Sequence, residues 1–406
     1  MPEWRSSTWG EEVTLQYGKA LRDYSEVGGA VRVFGTNGPI GWTDTPLAPG
    51  PGVILGRKGA YRGVHYSPDP FFVIDTAYYV VPKTELDMRW LYYAIIHHQL
   101  GQIDDGSPIP STTRAAVYPR EIDVPLPDEQ RAIAGVLGAL DDKIEQNRRT
   151  ARALERLARA IFRAWFVDFE PVKAKAEGAT AFPSMPEGVF DALPTRFVES
   201  AIGHVPEGWE VKAIGDVVSA KGGGTPSTKN AEYWDGGAHC WATPKDMSRL
   251  AQPVLLDTER RITDAGVKSI RSGILPVGTV LMSSRAPVGY LAIAGVPTAI
   301  NQGVIAMVCD GPLPPTYVLN WAFASLDAIK AHASGTTFPE IGKKNFRPLP
   351  VVVPTSDVIV AYRQAADPLF DLLTACAKEN EQLAAMRDYL LPKLLSGQVR
   401  VEAAHD

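Results

Sequence analysis

DEQRAIAGVLGALDDKIEQNRRTARALERLARAIFRAWFVD, residues 128–168, carries the clearest periodic signal in the chain. Its apolar side chains recur at alternating steps of four and three, and one polar residue, Asn147, interrupts the series. The apolar positions are Ile133, Leu137, Leu140, Ile144, Ala151, Leu154, Ala158, Ile161 and Trp165. This a/d heptad predicts a helix with a narrow apolar seam, roughly 60 Å long at about 1.5 Å per residue. A helix of that length is better suited to a spacer than to the core of one domain.

The same spacing returns in residues 357–395, after Pro354. The seam positions there are Tyr362, Ala366, Leu369, Leu373, Cys376, Asn380, Leu383, Leu390 and Leu394, with the charged Arg387 in the series. Asn380, like Asn147, is a lone polar seam residue of the kind that fixes the register of paired helices. We predict that the two helices pair antiparallel. The alternative is two unrelated amphipathic helices, each packed on its own domain.

Composition indicates an ordinary globular protein of two or three domains. The chain has 406 residues, 45% of them apolar and 21% charged, and a net charge of -5. The N-terminus lacks a signal-peptide pattern and no apolar run could span a bilayer, so we expect a cytoplasmic protein. Three scattered cysteines (Cys240, Cys309 and Cys376) fit neither a disulfide framework nor a zinc site. Because the net charge is negative, nucleic-acid binding would depend on local basic patches.

The chain reads as domain, helix, domain, helix. Short β-type runs at 30–34, 52–55, 71–74 and 78–81 predict strands. The predicted segments are a first mixed domain (1–125), a central helix (126–170), a linker (171–207), a second mixed domain (208–353), a C-terminal helix (354–396) and a tail (397–406). The predicted class is α+β, with two mixed α/β domains at opposite ends of an antiparallel pair of long coiled-coil helices.

The two domains are predicted to be one repeat used twice, which gives the chain a pseudo-two-fold plan. Five positions recur with a displacement of 226: Gly52, Leu55, Ala60, Gly63 and Ile74 return as Gly278, Leu281, Ala286, Gly289 and Ile300. Further upstream, Trp209-Glu210-Val211 is matched to Glu11-Glu12-Val13, which gives the second copy about 28 extra residues. Paired readers of this kind suit paired DNA half-sites, and because the two domains differ the half-sites should differ.

The chain resembles the specificity subunit of type I restriction-modification systems over nearly its whole length. The resemblance rests on VRVFGTNGPIGWTDTPLAPGPGVILGRKGAYRG, LPDEQRAIAGVLGALDDKIEQNRRTARALERLARAIFRAWFVDFEP, GGGTPSTKNAEYWDGG, GTVLMSSRAPVGYLAIA and RDYLLPKLLSGQV. It implies two target recognition domains that bind a bipartite site on double-stranded DNA, and helices that set the spacer. It also implies partners: methyltransferase subunits, in two copies, and restriction/translocase subunits. The chain itself would be non-catalytic and would need no cofactor.

Candidate DNA-binding residues lie in glycine-rich loops. The loop at 56–63 supplies Arg57, Lys58, Tyr61 and Arg62, and the loop at 283–287 supplies Ser284 and Arg285. The remaining candidates are Asn37, Lys221, Thr225, Ser227, Lys229 and Lys245. Such loops bring the protein backbone close to a DNA phosphate while a basic side chain reaches the edge of a nucleobase. The alternative is a tight turn with solvated charges, or a plain flexible loop at 221–229, which lacks the order of a nucleotide-binding P-loop.

Other features point away from catalysis. His97 and His98 are adjacent on a helix and therefore diverge, which favours a structural role over a metal site. An arginine stripe (Arg148, Arg152, Arg156, Arg159 and Arg163) predicts a solvated face, with DNA or an acidic partner as alternatives. No nucleophile elbow, HExxH or adenine-methyltransferase motif occurs. Two rival hypotheses stay open: an enzyme that acts on DNA by itself, and a coiled-coil scaffold that never contacts DNA.

Overall fold

The computed structural model describes residues 4–24, 26, 28–103, 110–335 and 339–401. The chain divides into two compact units. Unit 1 comprises Met1–Ile144 and Gln382–Asp406, and unit 2 comprises Glu145–Glu381. Each unit therefore contains one mixed α/β region and part of each long helix.

The elements of the first part of the chain alternate short strands with a few helices. In order they are β1 (Arg5–Thr8), α1 (Trp9–Glu12), β2 (Val13–Tyr17), β3 (Val31–Gly35), β4 (Gly38–Thr43), β5 (Gly52–Gly56), β6 (Val64–Ser67), β7 (Phe71–Val73), β8 (Ala77–Pro82), α2 (Met88–His97), a 3-10 turn (Leu100–Gln102), α3 (Arg114–Val117), β9 (Glu121–Val124) and α4 (Pro127–Phe166).

The second part repeats this succession with additions. Its elements are α5 (Glu170–Ala176), α6 (Glu187–Ala192), β10 (Phe197–Ser200), β11 (Gly203–Pro206), β12 (Glu210–Ala213), α7 (Ile214–Val217), β13 (Ser219–Gly222), a 3-10 turn (Ala231–Tyr233), β14 (His239–Ala242), α8 (Pro244–Ser248), β15 (Val254–Leu255), β16 (Arg261–Ile262), α9 (Asp264–Lys268), β17 (Val280–Ser283), β18 (Leu291–Ala294), β19 (Thr298–Ile300), β20 (Val304–Val308), α10 (Pro315–Ala324), α11 (Leu326–Ala331), α12 (Lys343–Phe346), β21 (Pro350–Val353) and α13 (Ser356–Leu395).

Unit 1 is built on a four-stranded sheet in the order β2-β8-β5-β6, a three-stranded sheet in the order β4-β3-β7, and the pair β1-β9. Strand β5 is apolar along its whole length and buried on both faces. Helix α2 begins after Asp87, whose side chain accepts hydrogen bonds from the backbone amides of Arg89 and Trp90. The helix buries Trp90 and Leu91 against the sheet. The core of unit 1 therefore lies between α2 and this sheet.

Unit 2 has the corresponding sheets, β13-β20-β17-β18-β15 and β16-β14-β19, and the pair β12-β21. The correspondence is strand for strand, because β3 runs parallel to β7 as β14 runs parallel to β19. The main difference is between β14 and β16, where residues 243–260 add α8 and the edge strand β15. In unit 1 the same connection is the two-residue turn 36–37. The predicted internal repeat is thus present in the strand topology.

The strand pairing corrects one detail of the predicted repeat. Arg5 of β1 pairs with Val124 of β9, and Glu210 of β12 pairs with Val353 of β21. Position 210 therefore corresponds to position 5, and Trp209 corresponds to Trp4, so the match to Glu11-Glu12-Val13 was wrong. The second copy has 21 extra residues before β17 rather than about 28, since the displacement rises from 205 to 226. The short Glu-Val match misled because it ignored the strand partners.

Within unit 1 the two long helices run antiparallel. Ile133 and Leu137 of α4 share a buried cluster with Leu394 of α13. Closer to the other end of these segments, Arg387 Nη1 donates to Asp141 Oδ1 at 2.8 Å, which gives the charged seam residue its partner.

Within unit 2 the same antiparallel order continues. Asn147 Nδ2 donates to Asn380 Oδ1 at 3.1 Å, Ala151 packs with Leu373, and the rings of Trp165 and Tyr362 lie 6.2 Å apart. Successive positions along α4 thus contact successively earlier positions of α13, as antiparallel packing requires. The predicted helix pair and the α+β class are confirmed.

The segment at 171–207 contains regular structure. Helix α5 follows Phe169, which adopts a left-handed conformation, and α6 follows Pro186. Strands β10 and β11 form an antiparallel hairpin, in which Phe197 pairs with Pro206. Phe169, Val172 and Phe190 are buried in the unit 2 core, so this segment packs against the unit.

Candidate nucleic-acid interface

In unit 1 three loops meet at one edge of the four-stranded sheet. Thr36 Oγ1 donates to the carbonyl of Lys58, in the loop after β5, at 2.7 Å. The amide of Gly63, at the end of the same loop, donates to the carbonyl of Thr36. The amide of Arg57 donates to the carbonyl of Thr76. The β3–β4 turn, the 57–62 loop and the turn after β7 are therefore fixed to one another by backbone hydrogen bonds.

Arg62 holds this loop rather than presenting a free cation. Its guanidinium donates to the carbonyls of Gly59 and Ile103 at 2.7 Å each, and to the Gly101 carbonyl and Thr112 Oγ1 at 3.0 and 3.1 Å. The hydrogen-bonding capacity of the side chain is thereby largely used. We assign Arg62 a positioning role.

The other candidates of unit 1 remain accessible. Tyr61 is 79% exposed at the tip of the loop. Lys58 is exposed beside it, and Asn37 is exposed in the β3–β4 turn. Arg57 is half-buried: its Nη2 donates to the Asp75 carbonyl at 2.9 Å, and its Cζ lies 5.1 Å from the centre of the Tyr17 ring. These four residues lie at the same edge of the sheet, where they present aromatic and cationic groups.

The His65 imidazole packs against the backbone of Gly38, in the β3–β4 turn, and of Gly63, at the end of the 57–62 loop. A Cβ added to Gly38 would come within 3.0 Å of the imidazole, and one added to Gly63 would overlap it. Burial lowers the pKa of His65, so the ring is neutral near pH 7. Both glycines are therefore required by the packing of this imidazole.

In unit 2 the equivalent loop is tied down differently. Ser283 is fully buried, and its Oγ donates to the Pro287 carbonyl while it accepts from the amide of Tyr290. The amide of Ser284 donates to the Gly303 carbonyl, so this residue is buried against the turn after β19. Arg285 is the basic residue of the loop; it is half-buried, and its Nη1 lies 3.6 Å from Glu340 Oε2.

The glycine run at 222–224 has a packing explanation. A Cβ on Gly223 would overlap the carbonyl oxygen of Ile300, and a Cβ on Gly18 in unit 1 would overlap that of Ile74 in the same way. The glycine therefore lets the chain leave the sheet past the neighbouring strand in both units. Thr225 Oγ1 hydrogen-bonds Gln302 Oε1, which fixes the start of the following loop.

The remaining candidates of unit 2 are spread along its surface. Lys221, Ser227 and Lys229 are exposed. Lys245 is paired with Glu259, with Nζ 2.8 Å from Oε2, and the Arg249 guanidinium reaches the same carboxylate at 2.7 Å. The charge of Lys245 is thus partly neutralised, and Lys245 contributes less free positive charge than the sequence predicts.

The arginine stripe is a row of exposed side chains, several of which pair with acidic residues of the same helix or just after its end. Arg152 lies 3.0 Å from Glu145, Arg163 lies 2.9 Å from Asp168, and Arg159 pairs with Glu155. Arg159 also stacks on Phe323. These pairs are those of a solvated helix face.

Two side chains at the unit 1 edge escaped the sequence prediction. Tyr17 ends β2, and Arg114 begins α3, yet the Arg114 Cζ lies 4.5 Å from the Tyr17 ring centre. Tyr17 pairs with Tyr78 across the sheet, and Tyr78 lies beside Leu55, immediately before the candidate loop. The repeat signal could have found Tyr17, because position 17 corresponds to Gly222, next to Lys221. No local signal marks Arg114.

The site does not have the parts of a metal centre. Among the described residues, no group of three or more His, Cys, Asp or Glu side chains is arranged to hold a metal ion. His97 and His98 are packed edge to face, and burial lowers the pKa of both. Within the same ranges, no helix combines the length and hydrophobicity that a bilayer span would need.

Comparisons with known proteins agree on one family. Residues 206–382 match the family model described as a type I restriction modification DNA specificity domain. The chain is 36% identical over 191 residues to the type I restriction enzyme MjaIX specificity subunit of Methanocaldococcus jannaschii, covering 47% of this chain and 44% of that protein. It is 26% identical over 330 residues to the HindI specificity subunit of Haemophilus influenzae, covering 71% of each.

The fold has a counterpart among solved structures. The S subunit of a type I restriction-modification system from M. genitalium superposes with a TM-score of 0.60 at 17% identity, covering 96% of both chains. The match to the M. jannaschii protein spans less than half of that protein's length. The repeated sheets, the long antiparallel helices and the sequence matches lead to one conclusion: residues 206–382 form a type I restriction modification DNA specificity domain, and the chain is similar to type I restriction enzyme specificity subunits.

Proposed function

We propose that this chain selects a bipartite sequence on double-stranded DNA for a type I restriction-modification complex. Each unit would read one half-site through the loops at its sheet edge. The long helices would set the distance between the half-sites and dock the methyltransferase subunits, in two copies. Restriction subunits would complete the assembly.

One observation carries this proposal. The loops at 57–62 and 283–287 follow equivalent strands, β5 and β17, and they are hydrogen-bonded to equivalent turns, which precede β8 and β20. The backbone frame is thus repeated while the side chains differ: Lys58, Tyr61 and a clamped Arg62 in one unit, a buried Ser284 and Arg285 in the other. A shared frame with different side chains is what a reader of two unlike half-sites requires.

The proposal assigns chemistry to the partners and recognition to this chain. Recognition needs donors and acceptors at a groove, together with cations for the phosphates, and the two loop sets supply these groups. Catalysis would reside in the methyltransferase and restriction subunits. The chain would therefore require no cofactor or metal of its own.

Methylation mapping tests the proposal directly. The chain is co-expressed with its methyltransferase subunits in a host that lacks adenine methylation at other bipartite sites, and methylated adenines are mapped across the genome. We expect a two-part motif that disappears when this chain is omitted. We also expect Arg285→Ala to alter or weaken the preference in one half of the motif only.

The control is Arg196→Ala. Arg196 is an exposed arginine of unit 2 that pairs with Glu207 at the ends of the β10–β11 hairpin and belongs to none of the candidate loops. It should leave both halves of the motif unchanged. A motif that persists without this chain, or an Arg285→Ala change that alters both halves equally, would contradict the proposal.

A further inference from the structure

At the recognition edge of unit 1, a half-exposed aromatic ring is flanked by two arginines. Tyr17 is 48% exposed, and the guanidinium carbons of Arg114 and Arg57 lie 4.5 and 5.1 Å from its ring centre. Each separation is within the range of a cation–π contact. The ring therefore concentrates two positive charges at one place on the edge that carries the candidate loop.

The Arg114 guanidinium is held in place but retains donors. Its Nε and Nη2 both donate to the Leu15 carbonyl, at 2.9 and 2.6 Å. A guanidinium has five N–H groups, so donors remain after these two bonds are made. The backbone of the Arg57 loop is fixed to the same region, because the amide of Thr112 donates to the carbonyl of Arg57.

No carboxylate of the described residues neutralises these charges. Within the ranges that the structure describes, neither Arg57 nor Arg114 forms an ion pair with a carboxylate, although many surface arginines of this chain do. In a protein with a net charge of -5, two uncompensated guanidiniums on one ring are a local exception. Like charges held this close repel each other, and a bound anion would relieve that repulsion.

Unit 2 has a corresponding arrangement in which a lysine takes the place of the arginine. Lys343 lies seven residues before β21 begins, as Arg114 lies seven residues before β9 begins. A Cβ added to Gly222, the counterpart of Tyr17, would come within 3.3 Å of the Lys343 Nζ. The lysine thus extends over the backbone where the tyrosine ring lies in unit 1. It is exposed and has no carboxylate partner among the described residues.

The short helices α3 and α12 are docked by corresponding contacts. In unit 1 the amide of Leu15 donates to Tyr118 Oη at 3.0 Å, and in unit 2 Arg347 Nη2 donates to the Ala220 carbonyl at 3.0 Å. Tyr118 and Arg347 pack against equivalent glycines, Gly10 and Gly215. The equivalence of Arg114 and Lys343 therefore rests on the repeat as well as on their position.

We infer that Arg114 and Lys343 are equivalent DNA phosphate contacts, one in each unit. This inference rests on the proposed function and adds two backbone-binding residues outside the loops that the sequence singled out. Such contacts fix the position of the protein on the duplex without reading its sequence. The predicted ligand is a phosphate of double-stranded DNA, and the contact is independent of the base attached to it.

The salt dependence of binding tests the inference. The assembled complex with its methyltransferase subunits is titrated with duplexes that contain or lack the mapped motif, between about 50 and 200 mM salt. Arg114→Gln and Lys343→Gln should each reduce the slope of log K against log[salt] by about 0.9, and the double variant by about 1.8. Each single variant should weaken both duplexes by on the order of fivefold near 0.15 M salt and leave the methylated motif unchanged.

Two further variants separate charge from structure. Arg114→Lys retains the charge and should restore the salt slope, whereas a purely structural role through Leu15 would make it behave like Arg114→Gln. Arg196→Gln removes a positive charge elsewhere and should leave the slope unchanged. Unchanged slopes in both glutamine variants, with selective binding by the wild-type complex, would overturn this inference alone. Absence of selective binding by the wild-type complex would overturn the proposed function and this inference with it.

Discussion

Arg62 illustrates how a basic residue in a glycine-rich loop can have a role that its neighbours in sequence do not reveal. Its four hydrogen bonds reach Gly59, Gly101, Ile103 and Thr112, and three of these partners come about 40 or 50 residues later in the chain. The residue type predicted a cation near DNA. The partners that occupy the cation are set by tertiary contacts.

We expect Arg62→Gln to lower the free energy of unfolding of unit 1 by about 2–3 kcal/mol, because several carbonyls lose a charged donor. Lys58→Gln is the matched control, since Lys58 is an exposed base of the same loop. Its stability should change by less than about 0.5 kcal/mol. Urea unfolding and the salt dependence of DNA binding should distinguish the two variants. Arg62→Gln should lower the free energy of unfolding, and Lys58→Gln should reduce the slope of log K against log[salt]. A reduced slope with unchanged stability for Arg62→Gln would refute its positioning role.

The long helices show which parts of an element the sequence can predict. The heptad seam predicted both helices to within four residues at each end, because a buried stripe requires the spacing of an α-helix. It also identified Asn147 and Asn380 as polar seam residues. Their mutual hydrogen bond, and the pairing of Arg387 with Asp141, required the register of the two helices, which neither helix specifies alone.

We expect Asn147→Leu to destabilise the protein by about 1–2 kcal/mol, because Asn380 Oδ1 and Glu379 Oε2 lose the amide that donates to them. The double variant Asn147→Leu/Asn380→Leu should recover part of this loss, since two apolar seam residues can pack against each other while Glu379 still lacks that donor. Thermal unfolding of the single and double variants provides the measurement. A double variant that is less stable than either single one would show that this pair does not couple the helices.

At the scale of the whole molecule, the predicted repeat, fold class and helix pair were confirmed, while the alignment of the two copies needed the strand pairing. Letter matches alone placed Trp209 against Glu11. The ladder of β12 with β21 places it against Trp4. Arg114 and Lys343 were missed for the same reason, because tertiary structure brings Arg114 to Tyr17 in unit 1 and Lys343 to Gly222 in unit 2.

The proposed spacer role predicts the effect of matched insertions. One heptad is inserted between Ile144 and Glu145 and another between Glu381 and Gln382, at the boundaries of the two units. Each insertion lengthens its helix by about 10 Å. The spacer of the methylated motif should then grow by up to about 3 base pairs, while both halves stay the same. An insertion in one helix alone should disrupt the seam and reduce methylation. Matched insertions that retain methylation with the original spacer would refute the spacer role.

The pairing of β1 with β9, and of β12 with β21, means that each mixed region starts and finishes on neighbouring antiparallel strands. The peptide between the two paired strands is therefore a cassette, and the two points at which it joins the rest of the chain are adjacent in space. Grafting a foreign cassette between such junctions should preserve the helical scaffold, and under the proposed function it would exchange one half-site specificity as a whole module instead of by gradual substitution.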